Sequence, residues 1–248
     1  MDRQQISRLA HARHPIAAPL ADESVARLLD RATAGTERGR AVDLGCGEGA
    51  WLVRTLAAHP EWHAVGVDLD AAALTRARET ATALGVARRI GLHHLDAREF
   101  TPREPFDLVL CVGATHAFGG LLPTLAAARE LLAPGGWLLV GEGFWQCEPS
   151  RAALDGLGAT RDDFADLATT TDRVVSAGWT PVFGHVSTEQ EWDDYEFCWT
   201  GSLAEWALDQ PDHPDAAAAR EAADRHRTQW LHGYRGTFGF VTYLLRRS

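Results

Sequence analysis

The stretch "AVDLGCGEGAW", residues 41–51, places glycines at 45, 47 and 49 directly after a short apolar run. Glycine loses more backbone freedom on folding than any other residue. Three in alternation therefore point to positive φ or to a close approach of main chain to a ligand. Residues 40–44 read as a buried strand and 50–59 as a helix with Pro60 just beyond it, so the glycines fall in a strand-to-helix turn. Such a turn presents bare amides and a helix N-terminus at the carboxyl end of a strand, where open α/β sheets bind their ligands.

Composition bounds what that ligand serves. The 248 residues carry 24 Lys+Arg against 34 Asp+Glu, a formal charge of −10, and every Lys+Arg position is arginine. That length suits one α/β domain with some decoration. The acidic balance repels a phosphate backbone and argues against a nucleic-acid partner. Cys46, Cys111, Cys147 and Cys198 are far apart and form no C-x-x-C, so reduced thiols are expected, with neither a disulfide framework nor a zinc site. The first residues form no apolar leader, and no run approaches the ~18 apolar residues of a membrane span. A soluble cytoplasmic protein without a membrane partner is the expectation; the oligomeric state is left open.

Along the chain, Asp22 reads as the cap of a helix reaching about residue 34. Strand-like runs follow at 40–44, 63–68, 90–94, 106–112 and 136–142, with helical runs at 50–59, 71–84 and 120–133. This alternation implies a parallel sheet with right-handed crossovers. Asp70 and Gly85 punctuate the second of those helices. Thr160 and Asp163 make a capping-box pattern for a helix ending near Gly178, and strands are expected at 180–186 and 237–245. Between those two strands, 188–236 is too long for a hairpin loop. Thr188 with Glu191, Ser202 with Glu205, and Pro214 give it three helix starts. The expected division is an N-terminal segment, 1–21, near the site, and a domain, 22–248, in which 188–236 forms a helical lid.

The glycine turn fits two patterns. Gly45, Gly47 and Ala50 satisfy the dinucleotide-binding G-x-G-x-x-G/A, and Asp43, Gly45, Gly47 and Gly49 satisfy D-x-G-x-G-x-G. The second resembles motif I of the class I S-adenosylmethionine-dependent methyltransferases, and later segments agree with it. "GVDLD" at 66–70 resembles the end of that family's second strand, "HLDAREF" at 94–100 its adenine-binding segment, "FDLVLCVGATHAFGG" at 106–120 its fourth strand and loop, and "LLAPGGWLLVGEGFW" at 131–145 the fifth strand and its approach. "HPIAAPL" at 14–20, "GATHAFGG" and "GEGFW" are similar to a bacterial small-molecule subgroup. The resemblance implies a Rossmann-like sheet of order 3-2-1-4-5-7-6 with the last strand antiparallel and a helical insertion between the last two strands. It implies S-adenosyl-L-methionine as cofactor, with Asp68 on the ribose hydroxyls, Asp96 and the Ala97 amide on the adenine, and Asp43, Gly45, Cys46, Gly47, Leu69, Cys111 and Gly113 completing the cofactor site. A strand-end carboxylate suits a ribose diol because it accepts two hydrogen bonds at once.

His116, after the fourth strand, and Glu142, at the end of the fifth, are the candidate bases. Trp145, Trp192, Tyr195 and Trp199 are the candidate substrate contacts; the last three share a helix face that could equally be core. The stretch 174–219 has no arginine and many carboxylates, Glu196 among them, which favours a cationic or amine acceptor. Mg²⁺-assisted chemistry is not expected, because the fourth strand ends in Cys111-Val112-Gly113 without carboxylates. The expected function is methyl transfer to a small-molecule acceptor. The alternatives are an NAD-dependent oxidoreductase, which the absence of lysine disfavours, and a noncatalytic S-adenosylmethionine-binding protein.

Overall fold

The computed structural model describes residues 1–14 and 16–248. Five strands precede the C-terminal third: β1 (Arg40–Leu44), β2 (His63–Asp68), β3 (Ile90–His94), β4 (Phe106–Val112) and β5 (Leu132–Trp145). With β6 (Trp179–Val186) and β7 (Phe238–Arg247) they form one seven-stranded sheet of order β3-β2-β1-β4-β5-β7-β6, whose last strand runs antiparallel, the order the resemblance implies. The β1–β2, β1–β4, β2–β3 and β4–β5 pairs are parallel. β1 lies centrally and is buried at four of its five residues, as expected of a parallel strand covered on both faces. Its register sets Asp43 beside Gly66 of β2 and Leu110 of β4.

Helix α1 (Arg3–Ala10) precedes α2 (Asp22–Thr33), and α3 (Ala50–Ala58), α4 (Ala71–Ala83) and α5 (Leu121–Leu131) are the crossovers of the parallel part. α3 packs on β1 and β2, α4 on β2 and β3, and α5 on β4. Asp22 is the first residue of α2, with Ala21 at the cap position; its carboxylate reaches instead to Arg54, 2.6 Å away. β5 begins directly after α5, earlier than residue 136. It pairs Leu132 with Phe106 and then shifts register to pair Trp137 with Leu108, so Pro134 and Gly135 are absorbed as an irregularity in the strand. α6 (Arg151–Leu157) starts at a Ser150 cap that the sequence reading overlooked. The Thr160–Asp163 capping box is present, but it closes a 3₁₀ turn over Arg161–Asp163. The helix that follows is α7 (Leu167–Ser176), with Asp166 accepting from Thr169 N–H at 2.8 Å.

Contact density divides the chain into two compact units. One comprises Ala21–Glu142, Thr171–His185 and Val241–Ser248; the other comprises Met1–Leu20, Gly143–Thr170 and Val186–Phe240. Of the 14–20 stretch in the second unit, Pro15 lies outside the described residues. In that unit 188–236 forms two long helices, α8 (Glu189–Asp209) and α9 (Ala216–Gln229), rather than three. α8 runs straight through Gly201 and Ser202, so Ser202 is no helix start. The Thr188–Glu191 capping box at its beginning is as expected. Continuation past Gly201 follows from packing: Leu203 and Ala207 are fully buried against Ala10 of α1 and Ala219, Ala222 and Ala223 of α9. Small alanine side chains let the helix axes approach, and that burial outweighs one helical glycine. Among the described residues no helix is long and apolar enough to cross a membrane.

Candidate active site

The glycine turn starts where β1 ends. Gly45 and Cys46 N–H both donate to the Val67 carbonyl, at 2.9 and 3.1 Å, which ties the turn to β2. Gly45, Gly47 and Gly49 have φ of +86°, +52° and +71°. A Cβ on Gly45 would stand 2.5 Å from the Ala114 methyl, and one on Gly49 3.3 Å from that of Ala77. Those two glycines allow close packing. Gly47 differs: nothing lies within 4 Å of where its Cβ would be. Its positive φ favours glycine by itself, and its main chain borders open space, which leaves the backbone accessible to a ligand.

Asp68, at the carboxyl end of β2, accepts from Gly47 N–H at 2.7 Å through Oδ2 and from Asp70 N–H at 2.8 Å through Oδ1. These bonds fix the carboxylate; with about four acceptor positions in all, it keeps capacity for a ribose diol. Asp70 caps α4, accepting from Ala72 and Ala73 N–H at 2.8 and 3.0 Å. The two neighbouring acids thus divide their duties. Asp43 is 3% exposed, and burial, reinforced by the charge of Asp68, pushes its carboxyl up to about 8. Burial raises the thiols of Cys46 and Cys111 as well, aided at both by Asp43, so both remain protonated walls and not nucleophiles.

On the neighbouring strand end, Asp96 caps the 3₁₀ turn Ala97–Glu99, accepting from Arg98 N–H at 2.9 Å. Its carboxylate meets the Arg98 guanidinium, with Nε at 3.0 Å and a terminal nitrogen at 2.5 Å. That side-chain bond leads the causes holding its carboxyl down to about 2. The Ala97–Glu99 turn packs against the 3₁₀ turn Thr115–Phe118, which carries His116. The His116 side chain is solvent-exposed. Leu69 is 64% exposed beside Asp68, and Gly113 has φ +76° next to Ala114. Glu142 is half-buried inside β5, which continues three residues beyond it instead of ending there as expected, and it acts electrostatically on Cys111 and on Tyr243, whose hydroxyl lies 2.8 Å from Thr171 Oγ1. The structure therefore gathers Asp43, Cys46, Gly47, Asp68 and Cys111 about the ends of β1, β2 and β4.

The substrate candidates lie in the other unit. Trp145 is buried, packs edge-to-face with Phe164 and Phe238, and donates from Nε1 to the Arg161 carbonyl at 2.9 Å, all of which serves packing. Trp192 sits among Tyr195, Tyr234 and Phe238. Tyr195 OH lies 3.1 Å from His11 Nε2; since His11 Nδ1–H donates to the Ser7 carbonyl at 2.8 Å, Nε2 is the acceptor for the phenol. Trp199 stacks on His226 with ring centroids 3.7 Å apart. His226 Nε2–H donates to Glu196 Oε2 and Tyr234 OH to Glu196 Oε1, each at 2.7 Å. Glu196 is 2% exposed, so among the carboxylates of that stretch it lies inside the unit. His11, His226 and Tyr234 carried no sequence signal: their partners stand 184, 30 and 38 residues away.

Residues 42–138 match the family model described as a methyltransferase domain. Over 99% of its own length and 99% of the relative's, the chain is 30% identical to an uncharacterized protein of Escherichia coli (strain K12), YjhP. Two crystal structures of S-adenosylmethionine-dependent methyltransferases, each in complex with S-adenosyl-L-homocysteine, are similar throughout. The Geobacter sulfurreducens protein aligns with TM-score 0.89 at 26% identity over 98% of each chain, and the Thiobacillus denitrificans protein with TM-score 0.89 at 27% identity over 100% of each.

Proposed function

The chain belongs to the class I S-adenosylmethionine-dependent methyltransferases, and on that footing we propose that it methylates a small molecule, with an amine as the favoured acceptor. Its cofactor is S-adenosylmethionine. The observation that carries the assignment to this chain's own residues is the clear space over Gly47 beside a carboxylate already fixed at Asp68. When bound, the cofactor supplies a methyl group activated by the sulfonium charge. The protein's part is then alignment, exclusion of water and removal of a proton where the acceptor carries one.

In this reading Asp68 takes the ribose hydroxyls, and Asp96 with the Ala97 amide takes the adenine, with Leu69 an apolar surface beside them. The main chain at Gly45, Gly47 and Gly113 borders the amino-acid end, and Asp43, neutral at pH 7, lies beneath it. Cys46 and Cys111 are apolar wall. His116 and Glu142 are the groups proposed to accept a proton. Support for an amine comes from the net charge of −10 and from the absence of arginine between 174 and 219. Beyond the G-x-G-x-x-A spacing of the turn, the comparisons give nicotinamide chemistry no support.

Three measurements test this. Calorimetric titration should give heat with S-adenosylhomocysteine and none with NAD; the reverse would sink the reading. Transfer of a labelled methyl to a panel of small amines, alcohols and thiols should mark amines first, and labelling of oxygen or sulfur acceptors alone would discard the amine. Replacing His116 by Asn should lower turnover by roughly 10²–10⁴ with cofactor affinity kept, if His116 is the base. Unchanged turnover would move that role to Glu142.

A further inference from the structure

Every residue assigned above to the cofactor falls between Asp43 and Gly113, inside the unit of Ala21–Glu142, Thr171–His185 and Val241–Ser248. The other unit, Met1–Leu20 with Gly143–Thr170 and Val186–Phe240, carries none of them and is left to hold something else. In it α1 packs on α8, and Arg13, just beyond α1, pairs with Glu205 of that helix. The same docking brings His11 and His14 to Tyr195, a residue that the sequence already offers as a substrate contact.

The two imidazoles meet one phenol ring and differ in a single respect. Tyr195 lies 5.8 Å from the His11 ring and 5.3 Å from that of His14, edge-on at 86°, while Trp192 stands edge-on to Tyr195 at 6.3 Å. Each imidazole is turned by a main-chain carbonyl, and a carbonyl can only accept. The hydrogen is therefore at Nδ1 in both: His11 Nδ1–H donates to Ser7 at 2.8 Å and His14 Nδ1–H to Ile16 at 2.7 Å. In the neutral ring the lone pair is then at Nε2. His11 Nε2 receives the Tyr195 hydroxyl at 3.1 Å, a donor that burial keeps protonated. His14 Nε2, on a half-buried side chain, has no partner among the described residues. One imidazole of the pair is thus completed by the fold, and the other is fixed in orientation with its acceptor open.

We propose that His14 binds the methyl acceptor: its Nε2 receives an N–H of a small amine beside the rings of Tyr195 and Trp192 and leaves the lone pair of the amine nitrogen for the methyl group. The inference rests on the methyl-transfer reading and deepens it. His116 and Glu142 are there to take a proton, whereas His14 holds the acceptor and favours molecules that have a hydrogen to donate.

Two variants separate this role from a merely structural one. In His14→Asn the side-chain amide can still donate to the Ile16 carbonyl, but nothing reaches the position of Nε2. In His14→Gln the amide oxygen reaches that position, and the bond to Ile16 is lost. The full chain is assayed with labelled S-adenosylmethionine and benzylamine, tyramine or histamine, and KM and kcat are taken for the amine that the parent labels fastest. His14→Asn should raise KM by roughly tenfold with little change in kcat, the signature of one lost binding contact, and His14→Gln should recover most of that loss. A structural role predicts the reverse order of the two variants. Affinity for S-adenosylhomocysteine should be the same in all three proteins, and two-bond ¹H–¹⁵N NMR of the parent should find the hydrogen of neutral His14 at Nδ1. An unchanged KM in His14→Asn, a larger loss in His14→Gln, a parallel loss of S-adenosylhomocysteine affinity or a hydrogen at Nε2 would overturn the inference, with labelling by the parent leaving the methyl-transfer reading intact. If the parent labels none of the three amines, the amine reading of the acceptor fails and this inference fails with it.

Discussion

Gly47 and its neighbours show how similar residues in one turn answer to different causes. Gly45 and Gly49 are required by methyl groups that already stand in the way, whereas Gly47 faces nothing that the chain itself provides. Gly47→Val should therefore abolish binding of S-adenosylhomocysteine in calorimetry while the protein still melts cooperatively, because the left-handed backbone strain costs only about 1–2 kcal/mol. A variant that binds normally would show that the space is not the ligand's. Asp43 gives a second prediction. Its folded-state carboxyl is raised from 3.8 to about 8, so the folded chain keeps a proton that the unfolded chain releases. Its contribution to stability is complete below about pH 4 and is lost as pH rises towards 8. Asn cannot titrate, and groups common to both proteins cancel in the comparison. The melting temperature of Asp43→Asn should thus gain on the parent steadily between those limits; a constant difference would mean that Asp43 is charged throughout.

At the scale of elements, α8 is where local signals and packing disagree. Ser202 and Glu205 follow Gly201 in the pattern of a helix start, yet the helix passes through because Leu203 and Ala207 are buried on the far side of the glycine. Gly201 is exposed and nothing lies within 4 Å of its absent Cβ. Gly201→Ala should then stabilise the protein by about 0.5–1 kcal/mol in urea unfolding; destabilisation would place a break in the helix there. The same contrast explains what could be read in advance. β1 to β5, the glycine turn and the Asp70 cap were legible, since they rest on continuous apolar runs and on hydrogen bonds within a few residues. α1, α6 and the 3₁₀ turn at Arg161–Asp163 were missed or misassigned, because a cap marks a possible beginning and burial decides whether a helix follows. Glu196 shows the limit most plainly. Four other carboxylates lie within eight positions of it on α8, and its distant partners His226 and Tyr234 set it apart.

For the whole molecule, the proposed cofactor site draws on the ends of several strands that the chain visits far apart in sequence. Saturating S-adenosylhomocysteine should therefore slow amide exchange together at 44–49, 67–70, 95–98 and 111–118; at a hundredfold over its Kd it should stabilise the fold by about 2.7 kcal/mol. Protection confined to the glycine turn would contradict a site shared among those strand ends. The sheet order carries a further consequence, for synthesis. β7 is the last strand in sequence but lies between β5 and β6. While the ribosome is still making residues before 238, β5 has an open edge and β6 has no partner. An unfinished sheet exposes main-chain donors and acceptors that invite pairing with another chain. A nascent chain stalled anywhere in α8 or α9 is thus the form most in need of a chaperone, and release of the finished strand is what closes the sheet.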